Sequence, residues 1–306
     1  MMFALETLRK VLSSFDHWVR DPVDPRPIAY FRAWFGFLAL VNLLLLWPDM
    51  PMWLAHDGVL PEFVHKGLVF GSRLSVYSFM GYNDDAISVI RALGFFGGLG
   101  LLTGTVPQLS AFCMWLAIAS FSWRNPHILH SGDNLLRIGS FFLMFARSDG
   151  ALSLPRFLAC KFRPGYASTL GGDPQKIPAW PQRILQLQLC VVYLVAGIWK
   201  AKGVQWQAGT AVGTVLQLGE FQRFPIPDFF MTPFMSHMMT YSALVIELGF
   251  PFLIWIPMLR VPVLLTGLAL HAGLDWVMNV QLFQWTMTSY YLLFLRFDRP
   301  GLKSKT

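Results

Sequence analysis

Long apolar stretches separated by short polar ones run the length of the chain, and their lengths set the elements. An α-helix rises 1.5 Å per residue, so about 20 apolar residues cross a hydrocarbon layer of roughly 30 Å. Stretches near that length fall at roughly 28–47, 86–103, 107–123, 133–147, 182–202, 236–257, 261–279 and 281–296. The pattern predicts an all-α, polytopic integral membrane helical bundle of about eight transmembrane helices. Ahead of them, Glu6, Arg9, Lys10, Asp16 and Arg20 interrupt Met1 to Arg26, which argues against a cleavable signal peptide there. Leu5, Leu8, Leu12, Phe15 and Val19 recur at three- and four-residue steps, as in an amphipathic interfacial helix ended by Pro22, Pro25 and Pro27. The expected organisation is this helix over 1–26, a transmembrane domain over 27–297 and a basic cytoplasmic tail over 298–306.

Two tight connections, near Thr105 and Pro107 and near Pro257 and Arg260, predict helical hairpins. Gly94 and Gly98, with Gly97 and Gly100 beside them, form a stripe of small residues that lets another helix come close.

Composition excludes a soluble enzyme of the usual type. Apolar residues make up 55% of the 306 and charged residues only 13%, against ~25% charged in soluble domains. The net charge of +7 sits in loops and termini, where it suits anionic lipid headgroups, so membrane lipids and no nucleic acid are expected as partners. With cytoplasmic termini, Arg9, Lys10, Arg20, Arg26, Arg156, Lys161, Arg163, Lys176, Arg260, Arg299, Lys303 and Lys305 fall inside. Only Lys66, Arg73, Arg124 and Arg223 fall outside, which favours this orientation in the plasma (inner) membrane. Cys113, Cys160 and Cys190 form no CxxC pair, so neither a disulfide framework nor a metal site is expected.

Ionisable groups within spans are costly and need a partner or a purpose. They are Arg32, Arg91, Asp133, Arg137, Lys200, Glu247, His271 and Asp275. Asp133 and Arg137 are four apart, as an intrahelical ion pair requires, and Arg137 is also a candidate for holding an anionic ligand. The preceding run SWRNPHILHSGD gathers Trp123, Arg124, Asn125, His127, His130 and Asp133. Tyr193, Gly197 and Lys200 share a helix face in YLVAGIWKAKGVQW. Lys200 and Lys202 suit snorkelling with Trp199 and Trp206, whereas a lysine in an apolar pocket suits a base. Glu247 is the deepest carboxylate, and His271 with Asp275, again four apart, suits a hydrogen-bonded pair. In the predicted orientation Asp133, Lys200 and His271 all lie toward the outer leaflet. No GKS/T loop, GxSxG elbow or HExxH is present.

At these residues the sequence resembles the HTTM (horizontally transferred transmembrane) domain family, whose best-known member is vitamin K-dependent gamma-carboxylase. The resemblance is carried by HDGVLP, by Trp123, Asn125, Gly132, Asp133, Leu135, Leu136 and Arg137, and by Tyr193, Ala196, Gly197, Lys200, Trp206 and Gly209. Glu247, and LHA around His271 followed by QLF, complete it, and nearly the whole chain is covered. Pro126 departs from the W-x-N-H pattern and leaves His127 one place late. The resemblance implies that Lys200 deprotonates a vitamin K hydroquinone, menaquinol-like here, whose oxidation yields the strong base for a carboxylation-like modification. It places a quinone pocket near Trp123, Asn125 and His271.

The expectation is therefore a quinol-binding membrane protein acting on a peptide or small molecule, an enzyme if the lysine chemistry is retained. Expected catalytic residues are Lys200, His271 and Asp133. The binding set is Trp123, Asn125, His127, His130, Arg137, Tyr193, Trp206 and Glu247. The alternatives are a non-catalytic membrane factor for maturation or export of a secreted peptide, and a transporter, for which Gln186, Gln188 and Glu247 supply polar groups.

Overall fold

The structure, a computed structural model, describes residues 2–68, 73–162 and 176–297. The expected tail, 298–306, and Arg163 of the inner cationic set lie outside those residues. Among the described residues regular structure is helical, apart from two isolated pairings, Val23 with Ile177 and Gln222 with Met278. The chain divides into two compact units, Met1–Leu185 with Leu292–Thr306, and Gln186–Tyr291.

The first unit holds α1 (Met2–Arg20), α2 (Arg26–Leu46), α3 (Met50–Leu54), α4 (Glu62–Leu68) and α5 (Val76–Met80). It continues with α6 (Asp84–Thr103), α7 (Pro107–Arg124), α8 (Ser131–Leu143) and α9 (Leu154–Phe162). Helix α1 covers most of the segment 1–26, with exposed ion pairs Glu6–Lys10 and Asp16–Arg20, each spanning one turn. Helix α6 starts where Asn83 accepts the Ala86 N–H at 2.8 Å, with Asp84 and Asp85 at its positive end. It ends at Gly104, whose φ of +74° suits glycine, and Pro107 opens α7 three residues later. The small-residue stripe serves two neighbours. A Cβ on Gly97 would lie 2.7 Å from the Met114 nitrogen of α7, whereas one on Gly98 would meet Leu40 of α2 at 2.6 Å. Bare backbone on α6 therefore sets both approaches.

Arg32, fully buried, is held by carbonyls rather than an acid: Nη1 donates to Leu101 O and Nη2 to Leu152 O, each at 2.6 Å. The first of these caps the carbonyl end of α6, where a cation is favoured. Arg91 likewise donates to Trp47 O at 2.7 Å, with its guanidinium 5.1 Å from the Trp47 ring centre.

The second unit holds most of α10 (Trp180–Lys202), which begins in the first. It also contains α11 (Val204–Gln207), α12 (Ala211–Leu216), α13 (Pro233–Leu253), α14 (Arg260–Val277) and α15 (Phe283–Ser289). Thr232 caps α13 with Pro233 at its first position, and the chain breaks over 254–259 before α14, so the second expected hairpin forms.

A helix occupies each predicted stretch, but three are long and apolar enough to cross a membrane: α2, α6 and α10. Helix α8, with 13 residues, is about 20 Å long and α15, with 7, about 10 Å, so neither spans the layer as one α-helix. The count of about eight is thus not reached by length and composition together. Large apolar side chains face outward on the three long helices, among them Leu45 at 64%, Phe96 at 68% and Trp199 at 69% exposure. Such density belongs against lipid.

Candidate functional site

Lys200 lies two residues before the end of α10, and its ammonium pairs with the Glu247 carboxylate from the second half of α13. Gly197, one turn earlier, makes the approach possible: a Cβ there would lie 2.8 Å from Leu248 Cδ2. Glu247 is 7% exposed and Lys200 31%, so the pair has a buried acid end and a wetter amine end. Glu247 Oε1 takes the ammonium, while its buried Oε2 has no hydrogen-bond partner among the described residues. Trp206 is brought to the same place, its ring centre 5.3 Å from Nζ. Lys202 instead sits 5.2 Å from the Trp199 ring on the exposed side. Of the two lysines, Lys202 is exposed and Lys200 turns onto Glu247.

A second polar group adjoins the first. His271 on α14 has Nε2 2.6 Å from the Tyr193 hydroxyl and Nδ1 2.5 Å from Gln284 Oε1 of α15. An amide oxygen only accepts, so Nδ1 carries the proton, and in the neutral ring Nε2 accepts from Tyr193. The Tyr193 oxygen is then free to accept from the Tyr291 hydroxyl, its other partner. Protonating the ring reverses the order, because Nε2 then donates to Tyr193 and Tyr193 to Tyr291. Stacking of Tyr193 on Phe250, with centres 4.2 Å apart, fixes the phenol. Lys200 lies within electrostatic reach of His271, and Glu247 of Tyr193.

Sequence reasoning found Lys200, Glu247, Trp206, Tyr193 and His271, which come together, and missed Gln284 and Tyr291. It also paired His271 with Asp275. Asp275 instead accepts from Arg223 at 2.8 Å, because the loop guanidinium supplies a full charge that imidazole lacks.

The remaining expected residues belong to the first unit. Asp133 is the third residue of α8, and its Oδ2 accepts the His130 main-chain N–H at 3.1 Å while His130 Nδ1 accepts from Gly132 N–H at 2.9 Å. This reciprocal cap occupies both side chains. Asp133 Oδ1 accepts from Asn42 of α2 at 3.2 Å, a partner sequence reasoning missed. The expected Asp133–Arg137 pair is therefore replaced, since the free N–H groups at a helix start compete for the acid, and Arg137 donates to Asn134 at 3.0 Å. A cavity of about 30 Å³ borders Asn42 and Asp133, walled otherwise by apolar side chains such as Leu43, Ile90 and Phe121. It has room for water and not for an aromatic ring, which needs roughly 150 Å³. Asn125 is buried, accepting from His127 N–H at 3.3 Å, and the His127 side chain is exposed. Trp123 packs edge-on to His65, their ring centres 4.9 Å apart.

Apolar helices facing outward, with ionisable side chains turned inward onto one another, define an integral membrane protein of the helical class. The chain belongs to the HTTM domain family, whose domain matches residues 20–299 and which is related to gamma-carboxylase. No curated protein and no solved structure matches it. Among the described residues no cluster of His, Cys, Asp and Glu has metal-binding form.

Proposed function

We propose that this HTTM protein is a membrane enzyme that moves protons at the Lys200–Glu247 pair, acting with a lipid-soluble hydroquinone in the modification of a peptide or small molecule. The observation that supports it is the buried, half-satisfied Glu247 beneath an accessible amine. A phenolic hydroxyl fits that donor set, because Glu247 Oε2 lacks a donor and the Trp206 face offers an apolar surface. When bound, a hydroquinone would supply that hydroxyl and the two electrons of its oxidation.

The chain's own residues do the rest. The pair can hold its proton on Glu247, leaving the Lys200 amine neutral and able to take a proton from a hydroxyl above it. His271, Tyr193 and Tyr291 form a line of three exchangeable groups beside the pair, able to accept or return a proton by rotating hydroxyls. Asp133 and His130 hold the start of α8 in this reading. The proposal includes eight membrane crossings, the shorter ones completed by non-α segments, with both termini cytoplasmic and the site toward the outer side.

The test is reconstituted protein assayed for hydroquinone consumption under oxygen, with quinones extracted from the same preparation and identified by mass spectrometry. Lys200→Ala and Glu247→Gln are expected to lower turnover by 10²-fold or more while retaining the co-purified quinone. A wild type that carries no quinone and consumes no hydroquinone overturns the reading and leaves the non-catalytic maturation factor.

A further inference from the structure

The end of α7 carries a second polar cluster that the lysine site does not use. Trp123 and Arg124 are the last two residues of that helix, and His65 reaches them from α4. Tyr82 packs against all three: its ring centre lies 5.6 Å from that of His65, 6.2 Å from that of Trp123 and 5.3 Å from the Arg124 guanidinium carbon. Arg124 is 0% and His65 1% exposed. The arginine is anchored by loop carbonyls, Nε to Leu54 O at 3.0 Å and Nη2 to Ala55 O and Leu60 O at 2.5 and 2.6 Å.

What this anchoring leaves over is informative. Arg124 Nη1, Trp123 Nε1 and both ring nitrogens of His65 are buried with no hydrogen-bond partner among the described residues. The Arg124 carbonyl lies beside the imidazole without an aligned bond to it. Buried polar groups are normally satisfied, so several unsatisfied ones around one aromatic floor call for a common partner. Two of them, the indole and guanidinium N–H groups, can only donate, so the partner must accept. The charge balance gives its sign. Among the described residues no carboxylate forms an ion pair with Arg124; Glu62 lies within electrostatic reach of it but is itself paired with Lys66 at 2.5 Å. Lys66 in turn lies 5.7 Å from the Tyr82 ring.

We infer that His65, Trp123 and Arg124 form a binding site for a small oxyanion, a carboxylate or phosphate group, separate from the proposed lysine chemistry. Two N–H donors with a full positive charge behind them match acceptor oxygens bearing negative charge. Exposed Lys66 and half-buried Tyr82 and Trp123 are the members of the cluster nearest the surface. The group can arrive free in solution or on a lipid headgroup.

The experiment uses the full chain in a non-ionic detergent, with its thermal midpoint followed by a thiol-reactive dye. Inorganic phosphate and acetate are titrated against chloride at matched ionic strength, and phosphatidylglycerol against phosphatidylcholine in mixed micelles. Trp123→Phe removes a donor and keeps most of the ring packing, and His65→Phe removes the imidazole. Each variant is first melted in chloride to establish that it folds. Wild type is expected to show a saturable rise in midpoint with phosphate or acetate, and the half-saturating concentration should rise at least tenfold in either variant. A rise with phosphatidylglycerol alone, lost in the variants, supports the site and names the headgroup as its source. No specific rise with any probe, or equal rises in wild type and both variants, overturns it and leaves buried water as the partner.

Discussion

Replacing Lys200 by Met removes the cation from Glu247 but keeps an unbranched chain of similar reach. In the native arrangement Glu247 Oε1 is engaged and Oε2 is not; in Lys200→Met both oxygens lack a partner on a side chain only 7% exposed. Breaking a fully buried ion pair from one side costs ~3–5 kcal/mol. The 31% exposure of Lys200 lets water share the load, so about half that, ~2 kcal/mol, is expected. At ~2–4 °C per kcal/mol the midpoint falls by about 4–8 °C. A thiol-reactive dye reports the transition through buried Cys190 and half-buried Cys113. The double variant Lys200→Met, Glu247→Met replaces both charges by apolar volume and should recover to within ~1 kcal/mol of wild type, a coupling that a double-mutant cycle measures. A single variant that melts within 1 °C of wild type, or a double variant as unstable as the summed singles, refutes the buried coupled pair.

Arg32→Met should cost ~3 kcal/mol in the same melt, because two hydrogen bonds from a charged donor are lost and the carbonyls of Leu101 and Leu152 are left behind. Gly97→Leu should abolish a monodisperse peak in size-exclusion chromatography, since its Cβ would sit 2.7 Å from the Met114 main-chain nitrogen, which cannot rotate away. Burial, with the Arg124 charge beside it, holds His65 below its ordinary 6.5, so the unfolded chain binds this proton more readily than the folded one. Stability from this residue is therefore complete above pH 6.5 and lost as pH falls through the lower folded-state value. Melts from about pH 7.5 down to 5 should show the loss in wild type and a smaller slope in His65→Phe.

The helices were legible because their signal is local. Apolar run length marked all eight stretches, and the glycines of α6 announced close packing. Crossing number was less legible, because composition does not reveal that α8 stops after 13 residues or that the last stretch turns from α15 into a tighter helix at Tyr290. Helical periodicity placed Tyr193, Gly197 and Lys200 on one face, yet nothing in that spacing selects Glu247 as the partner. Both readings that paired charges four residues apart failed for the same reason. Asp133 at a helix start has free main-chain N–H groups to cap, and Asp275 at a helix end has the Arg223 loop within reach. Gln284 and Tyr291 escaped notice because they are uncharged, although an amide inside an apolar run carries a desolvation cost and is itself a signal.

The choice of an amide at position 284 bears on how the site handles protons. A carboxylate there would favour the imidazolium and give His271 a standing charge; Gln284 fixes the Nδ1 proton without adding one. The neutral ring then keeps Nε2 as an acceptor for Tyr193, and the hydroxyls of Tyr193 and Tyr291 follow in one direction. The formal charges of this unit's core thus stay on Lys200 and Glu247, which cancel each other. A proton arriving at or leaving that pair changes the net charge where His271 and Tyr193 sense it, and the line reverses its hydrogen bonds only when the imidazole itself takes a proton at Nε2. On the proposed reading the ion pair would be the proton acceptor, and a neutral imidazole beside it avoids a second standing charge in the apolar core.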